Sequence, residues 1–142
     1  MNQTEFDQAK GFIYADIQRE IDIAHTGKDA GNFLCAVALL CYTEFSGGIL
    51  RRKFQRGEAG RNFNTFFDTL GPDYENFRKQ HDVYSIFRCG LAHEYYVKRS
   101  CQIAMLKGDE QIGIGISPEG IYYFVVERYF EDFRRALDQL TL

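Results

Sequence analysis

Residues 33–45 have the sequence FLCAVALLCYTEF, a strongly apolar stretch with helical spacing. The pattern predicts a helix that a cap at Asp29 begins, that ends near residue 53, and that lies at the centre of the fold. Glu44 is the single charged residue within the stretch. Gly47 and Gly48 follow it, and they either weaken the helix or allow another helix to cross it closely.

The segments on either side of this central helix are also mostly helical in pattern. In chain order, the sequence predicts an amphipathic helix at 4–26, a loop at 54–62, a short helix that Asn62 or Asn64 caps and that ends near Leu70, a helix that Pro72 opens, a helix at 82–98, and a last helix whose apolar stripe runs from Val126 to Leu140.

Residues 102–126 differ in character from the rest of the chain. Three short segments rich in Ile, Val, Tyr and Phe alternate with turn-like sequences, which predicts two or three short antiparallel strands. The fold class that follows is mainly α: an antiparallel (up-and-down) bundle of about four to five helices with a small β-hairpin or three-stranded β insertion before the C-terminal helix. No repeat or linker interrupts residues 1–142, so we expect a single domain.

Composition restricts the classes of function. The formal net charge is -3, which argues against a globally basic surface that coats nucleic acid. The four cysteines, Cys35, Cys41, Cys89 and Cys101, have no zinc-site spacing, and we expect reduced thiols, no metal or cofactor, and a cytoplasmic location. The first residues lack the pattern of a signal peptide, and we expect no apolar run long enough to span a membrane.

The chemistry-bearing segment is Arg88-Cys89-Gly90-Leu91-Ala92-His93-Glu94-Tyr95. Arginine is a permanent cation suited to phosphate, and histidine moves protons near neutral pH. Together they favour chemistry on a phosphodiester, most plausibly RNA, whose own 2′-hydroxyl can act as the nucleophile. His93 is then the general base or acid and Arg88 stabilises the charge of the transition state, without any metal.

The spacing of these residues sets a geometric difficulty. On an ideal α-helix Tyr84, Arg88 and Tyr95 share one face, whereas His93 lies roughly 140° around the axis from Arg88. Three arrangements would still let Arg88 and His93 serve one site: the long reach of the side chains, a relaxation of the helix at Gly90, or a second copy of the helix in a twofold dimer.

The Arg-x4-His-x-Tyr pattern, late in a helical domain of this size, resembles the HEPN superfamily (higher eukaryote and prokaryote nucleotide-binding). The resemblance implies a dimeric antiparallel bundle whose motif helices line a shared cleft. It also implies a metal-independent endoribonuclease of a toxin–antitoxin, CRISPR or phage-defence system. Some members have an MNT-type nucleotidyltransferase antitoxin that modifies the tyrosine at the position of Tyr95. Cys89 departs from the polar residue that is common there, and the predicted strands are additional to a minimal bundle.

Other interpretations of the same residues remain open. Arg88 and Glu44 can form a structural ion pair, or Glu44 can orient Arg88 or His93 for catalysis, while Tyr84 and Tyr95 support the site. A basic cluster near the end of the central helix, continued by Lys98 after the motif, either grips an RNA backbone or is a solvated loop; the cluster consists of Arg51, Arg52, Lys53, Arg56 and Arg61. The alternative function is a non-catalytic module that binds a nucleotide, an RNA or a protein such as a nucleotidyltransferase, and a purely structural dimer comes third.

Overall fold

The computed structural model describes residues 1–94 and 101–142. These residues form a mainly helical bundle with a small three-stranded mixed sheet before the C-terminal helix, which confirms the predicted fold class. The elements are α1 (Gln3–His25), α2 (Asn32–Arg51), α3 (Ala59–Thr69), α4 (Pro72–Gln80), a π-helix (Tyr84–Glu94), β1 (Cys101–Ala104), β2 (Ile114–Ile116), β3 (Tyr122–Val125) and α5 (Val126–Asp138).

Helix α2 lies at the centre of the bundle, as its apolar sequence predicts. It contacts α3, the π-helix, α5 and β1, and Ala36, Leu39 and Leu40 are completely buried. A Cβ atom at Gly47 would lie 1.8 Å from the backbone oxygen of Asn62 in α3. The glycine therefore permits a close helix crossing, which is the second of the two roles that the sequence allows.

The prediction that no apolar run could span a membrane was wrong for α2. Its 20 residues are long and apolar enough to do so by length and composition alone. Half of the apolar window is buried inside the protein, which is the burial expected of a helix at the centre of a bundle.

Several helix boundaries differ from the prediction. Gly31, not Asp29, is the N-terminal cap of α2. Helix α3 already begins at Ala59, so Asn62 lies inside a helix that was expected to start there. The buried Asn62 amide accepts a hydrogen bond from Arg51 and donates one to the carbonyl of Lys53, so it closes the connection between α2 and α3 rather than capping a helix.

The sheet differs from the prediction in the direction of one strand. β2 and β3 are antiparallel, as expected, but β1 pairs with β3 in parallel, and the strand order is β1-β3-β2. The prediction was wrong because apolar alternation specifies which residues form a strand and not the direction of its partner. Segment 105–121, which contains β2, returns the chain to the end of the sheet where β1 begins.

Candidate functional site: the Glu44–Arg88–His93 chain

The motif residues lie on a π-helix and not on the regular α-helix expected over residues 82–98. In a π-helix the backbone bonds join residues five apart, so side chains at i and i+5 lie much closer around the axis than the roughly 140° that separates them in an α-helix. Arg88 and His93 have this spacing, and Arg88 Nη1 lies 3.3 Å from His93 Nε2. The buried Gly90 lies between them. Of the three arrangements considered, relaxation of the helix at Gly90 is the one seen in a single chain.

The contact between Arg88 and His93 has a defined hydrogen-bond direction. A guanidinium has only donors, so Arg88 Nη1 donates and His93 Nε2 accepts, a role that the imidazole takes in the tautomer with its proton on Nδ1. His93 is exposed to solvent, so the imidazole lies next to a fixed cation at the surface of the protein.

Glu44 of α2 forms an ion pair with Arg88. Arg88 Nε lies 2.6 Å from Glu44 Oε2, and the two side chains are 16% and 21% exposed. The N–H of Arg88 Nε is not aligned with the oxygen, and both atoms are shielded from water, so the contact is an ion pair without a linear hydrogen bond. Glu44, Arg88 and His93 thus form a continuous chain of contacts from α2 to the exposed imidazole.

Tyr84 lies beside this chain. The centre of its ring is 5.8 Å from Arg88 Cζ, a cation–π distance, and 5.6 Å from the centre of the Phe63 ring. Burial and the negative charge of Glu44 raise the pKa of Tyr84 to about 12. Tyr84 therefore keeps its proton at neutral pH and can donate a hydrogen bond.

Two residues predicted for the site, Tyr95 and Lys98, lie outside the described residues. Their roles stay predictions.

The predicted basic cluster divides into two groups. Arg51 is turned toward the protein: it donates to Asn62 Oδ1 at 2.7 Å and lies 2.7 Å from Glu58 Oε2. This contact with the Arg51 guanidinium holds the pKa of Glu58 below the ordinary value. Arg61 is mostly exposed and lies 3.8 Å from the other oxygen of Glu58. The exposed cations of the connection between α2 and α3 are Arg52, Lys53 and Arg56.

Phe54, which lies among these cations, was missed in the sequence. Its side chain is 61% exposed, and its ring packs over Gly48, where a Cβ would lie 2.4 Å from a ring carbon. A cavity of about 440 Å³ lies beside the ring, lined by Met1, Ile49, Arg52, Phe54 and Leu142. An aromatic residue placed between basic residues was the available signal, since this pattern is typical of single-strand binding.

Residues 1–94 and 101–142 contain no group of three or more His, Cys, Asp or Glu side chains arranged to hold a metal. Cys35, Cys41, Cys89 and Cys101 are free thiols in the structure.

Comparison of the chain with protein-family models, with curated proteins and with solved structures finds no match. The HEPN resemblance rests on the motif residues quoted above and stays a prediction.

Proposed function

We propose that this protein is a metal-independent endoribonuclease of the HEPN type, with Arg88 and His93 as its catalytic pair. The observation that carries the proposal is the 3.3 Å contact between Arg88 Nη1 and His93 Nε2, which brings a guanidinium and an imidazole to one point of the surface. π-helical turns are rare and occur frequently at functional sites, which supports the same conclusion.

The reaction uses the nucleophile that RNA carries. A phosphate oxygen takes the Arg88 Nη1 donor, which leaves His93 Nε2 free to accept the proton of the 2′-hydroxyl. The 2′-oxygen bonds to phosphorus, the bond from phosphorus to the 5′-oxygen breaks, and the leaving oxygen takes up a proton. The products are a 2′,3′-cyclic phosphate and a 5′-hydroxyl. Arg88, held by Glu44, stabilises the charge that develops on the phosphate oxygens.

The proposed active form is a homodimer, in which both chains contribute residues to one site. In a twofold dimer a second His93, in its protonated form, supplies the proton for the leaving 5′-oxygen, and two Arg88 side chains face one phosphate. A cytoplasmic toxin–antitoxin or defence system is the setting we propose, with an MNT-type nucleotidyltransferase that modifies Tyr95 as the partner.

A second function, a non-catalytic binding module, is favoured by one observation. Arg88 is only 16% exposed on its side chain and already pairs with Glu44, which is the arrangement of a structural arginine. Such a module would bind RNA or nucleotide through its basic cluster and leave the phosphodiester intact.

Cleavage of a mixed RNA pool in EDTA separates the two functions. We expect wild-type protein to leave 2′,3′-cyclic phosphate ends, and His93→Ala to lower the rate by about 100-fold or more, the usual contribution of a general base. His25→Ala is the matched control, because His25 is also an exposed histidine with a charged partner, in its case Glu127. Equal cleavage by wild type and His93→Ala would remove His93 from the mechanism, and RNA binding without cleavage would favour the module.

A further inference from the structure

The side chain of Phe54 is exposed but held in place. Gly48 beneath it has no side chain, so the ring lies against the backbone of α2, and its centre is 6.1 Å from the centre of the Phe45 ring. Such packing costs little conformational entropy when a ligand binds, because the ring is already ordered. More than half of its surface remains open to solvent.

The backbone before Phe54 is fixed as well. Arg52 ends α2 in the left-handed conformation with φ 54°, and the N–H groups of Arg52 and Lys53 close the helix on the carbonyls of Ile49 and Gly48. This is the hydrogen-bond pattern of a Schellman cap. The cap turns the chain sharply, so that Lys53 and Phe54 leave the helix in a defined direction.

The charge around Phe54 is positive although the whole chain is acidic. Arg52, Lys53 and Arg56 are exposed, and Glu58, the nearest acid in sequence, is paired with Arg51. Three cations around an exposed aromatic ring are complementary to a strand of nucleic acid with unpaired bases, in which anionic phosphates alternate with π-faces.

Phe54 also lies close to the Glu44–Arg88–His93 chain. Gly48, which supports its ring, is one helical turn beyond Glu44, about 6 Å along the axis of α2 and about 40° around it. The ring therefore neighbours the face of α2 on which Glu44 holds Arg88. A strand of a few nucleotides is long enough to reach both.

We propose that Phe54 stacks on an unpaired base of the substrate while Arg52, Lys53 and Arg56 contact its phosphates, so that the substrate is single-stranded RNA. The inference rests on the proposed ribonuclease function and names the class of its substrate. A duplex could not stack on Phe54, because its bases are stacked on each other and present no free face.

The test is the affinity of the full-length chain for a short, unstructured, fluorescently labelled RNA, measured by anisotropy in EDTA. All proteins carry His93→Ala so that the RNA stays intact. We expect Phe54→Ala to weaken binding about 5- to 150-fold, the range found for loss of base–aromatic stacking, and Phe54→Leu to weaken it similarly. Phe54→Trp should retain the affinity. Thermal melts of each variant exclude unfolding as the cause.

Phe12→Ala is the matched control, because Phe12 is 63% exposed on α1 and has no basic cluster beside it in sequence. Unchanged affinity in Phe54→Ala, full affinity in Phe54→Leu, or equal affinity for the duplex of the same sequence would each overturn the inference. A change of oligomeric state in Phe54→Ala on sedimentation would also overturn it, since the face would then join copies of the chain.

The two proposals fail in different ways. If wild-type protein cleaves RNA, and Phe54→Ala in the His93→Ala background binds it as well as His93→Ala alone, the substrate surface is wrong and the ribonuclease stands. If no RNA is cleaved but Phe54→Ala loses affinity for the single strand, the surface stands and the catalytic assignment of His93 is wrong.

Discussion

Arg88 contacts an acid, a base and an aromatic ring at once, through Glu44, His93 and Tyr84. The sequence indicated these partners, since the chemistry of each side chain can be inferred without coordinates. It did not indicate that Arg88 Nη1 would reach His93 directly, because that contact depends on how the backbone winds between them. For Arg51 the sequence indicated the wrong partners. It predicts an RNA-binding cation there, whereas in the structure the guanidinium donates to Asn62 and pairs with Glu58.

The backbone of Arg52 is strained, because a residue with a Cβ atom rarely adopts its conformation. It is a non-glycine residue in the left-handed region at φ 54°, at the position of a helix cap where glycine is usual. We expect Arg52→Gly to raise the free energy of unfolding by about 1 kcal/mol relative to Arg52→Ala, since glycine adopts this conformation without a Cβ penalty. Both variants should lose RNA affinity to the same extent, because both lose the charge.

Urea unfolding of the two variants, together with RNA anisotropy, tests this prediction. Equal stability of Arg52→Gly and Arg52→Ala would show that the cap is unstrained. A loss of RNA affinity in Arg52→Ala alone would show that the geometry of the turn, and not the charge, matters for binding.

The π-helix is the element that could not be predicted from the sequence. Buried Val83, Phe87 and Leu91 recur every four residues, which fits an α-helix equally well. A π-helix differs from it by the hydrogen-bond partner of each N–H, a choice that tertiary packing decides. The parallel pairing of β1 with β3 was missed for a related reason, whereas α2 and the opening of α4 by Pro72 follow from local composition and were predicted correctly.

The crossing of α2 and α3 gives a prediction at the level of the element. A Cβ at Gly47 would lie within 2 Å of the Asn62 backbone oxygen, so Gly47→Ala must push α3 away from α2. We expect it to lower the free energy of unfolding by about 3 kcal/mol, the upper range for overpacking, because a backbone atom cannot move aside like a side chain. Gly11→Ala is the control, since a Cβ there meets nothing within 4 Å.

Gly11 lies within α1, so alanine should stabilise the protein by about 0.5–1 kcal/mol through helix propensity. Chemical denaturation of both variants measures the two effects. A Gly47→Ala protein as stable as wild type would mean that the two helices do not cross as closely as the structure shows.

Two buried tyrosines connect the helices and the sheet across the whole molecule. Tyr74 of α4 donates to Asp132 of α5 at 2.6 Å and accepts from the N–H of Gly113 at 2.9 Å. Tyr129 of α5 shares a hydrogen bond with Thr43 of α2 at 2.8 Å. At the scale of the molecule, these bonds join α4 to α5 and α5 to α2, and the bonds to Asp132 and Thr43 depend on a protonated phenol.

The protonation of these phenols makes the fold sensitive to alkali. Burial, followed for Tyr74 by its bond to Asp132, raises the pKa of Tyr74 and of Tyr129 well above the ordinary value. Both stay neutral in the folded protein, whereas in the unfolded chain they ionise above about pH 10. The raised pKa therefore contributes stability that is fully present below about pH 10 and is progressively lost as the pH rises above it.

We expect the free energy of unfolding to fall above about pH 10 by about 1.4 kcal/mol per pH unit for each of the two tyrosines. Tyr74→Phe and Tyr129→Phe should each make this fall shallower by about that amount, because each removes one ionisable group from the unfolded chain. Urea unfolding over a series of alkaline pH values measures the slopes. At neutral pH, Tyr74→Phe should be the less stable of the two, since it leaves the buried N–H of Gly113 without its acceptor, whereas Thr43 still donates to the Leu39 carbonyl after Tyr129→Phe. Slopes identical to that of wild type would show that the two phenols ionise inside the folded protein, which is incompatible with hydrogen bonds that close the bundle only when both are protonated.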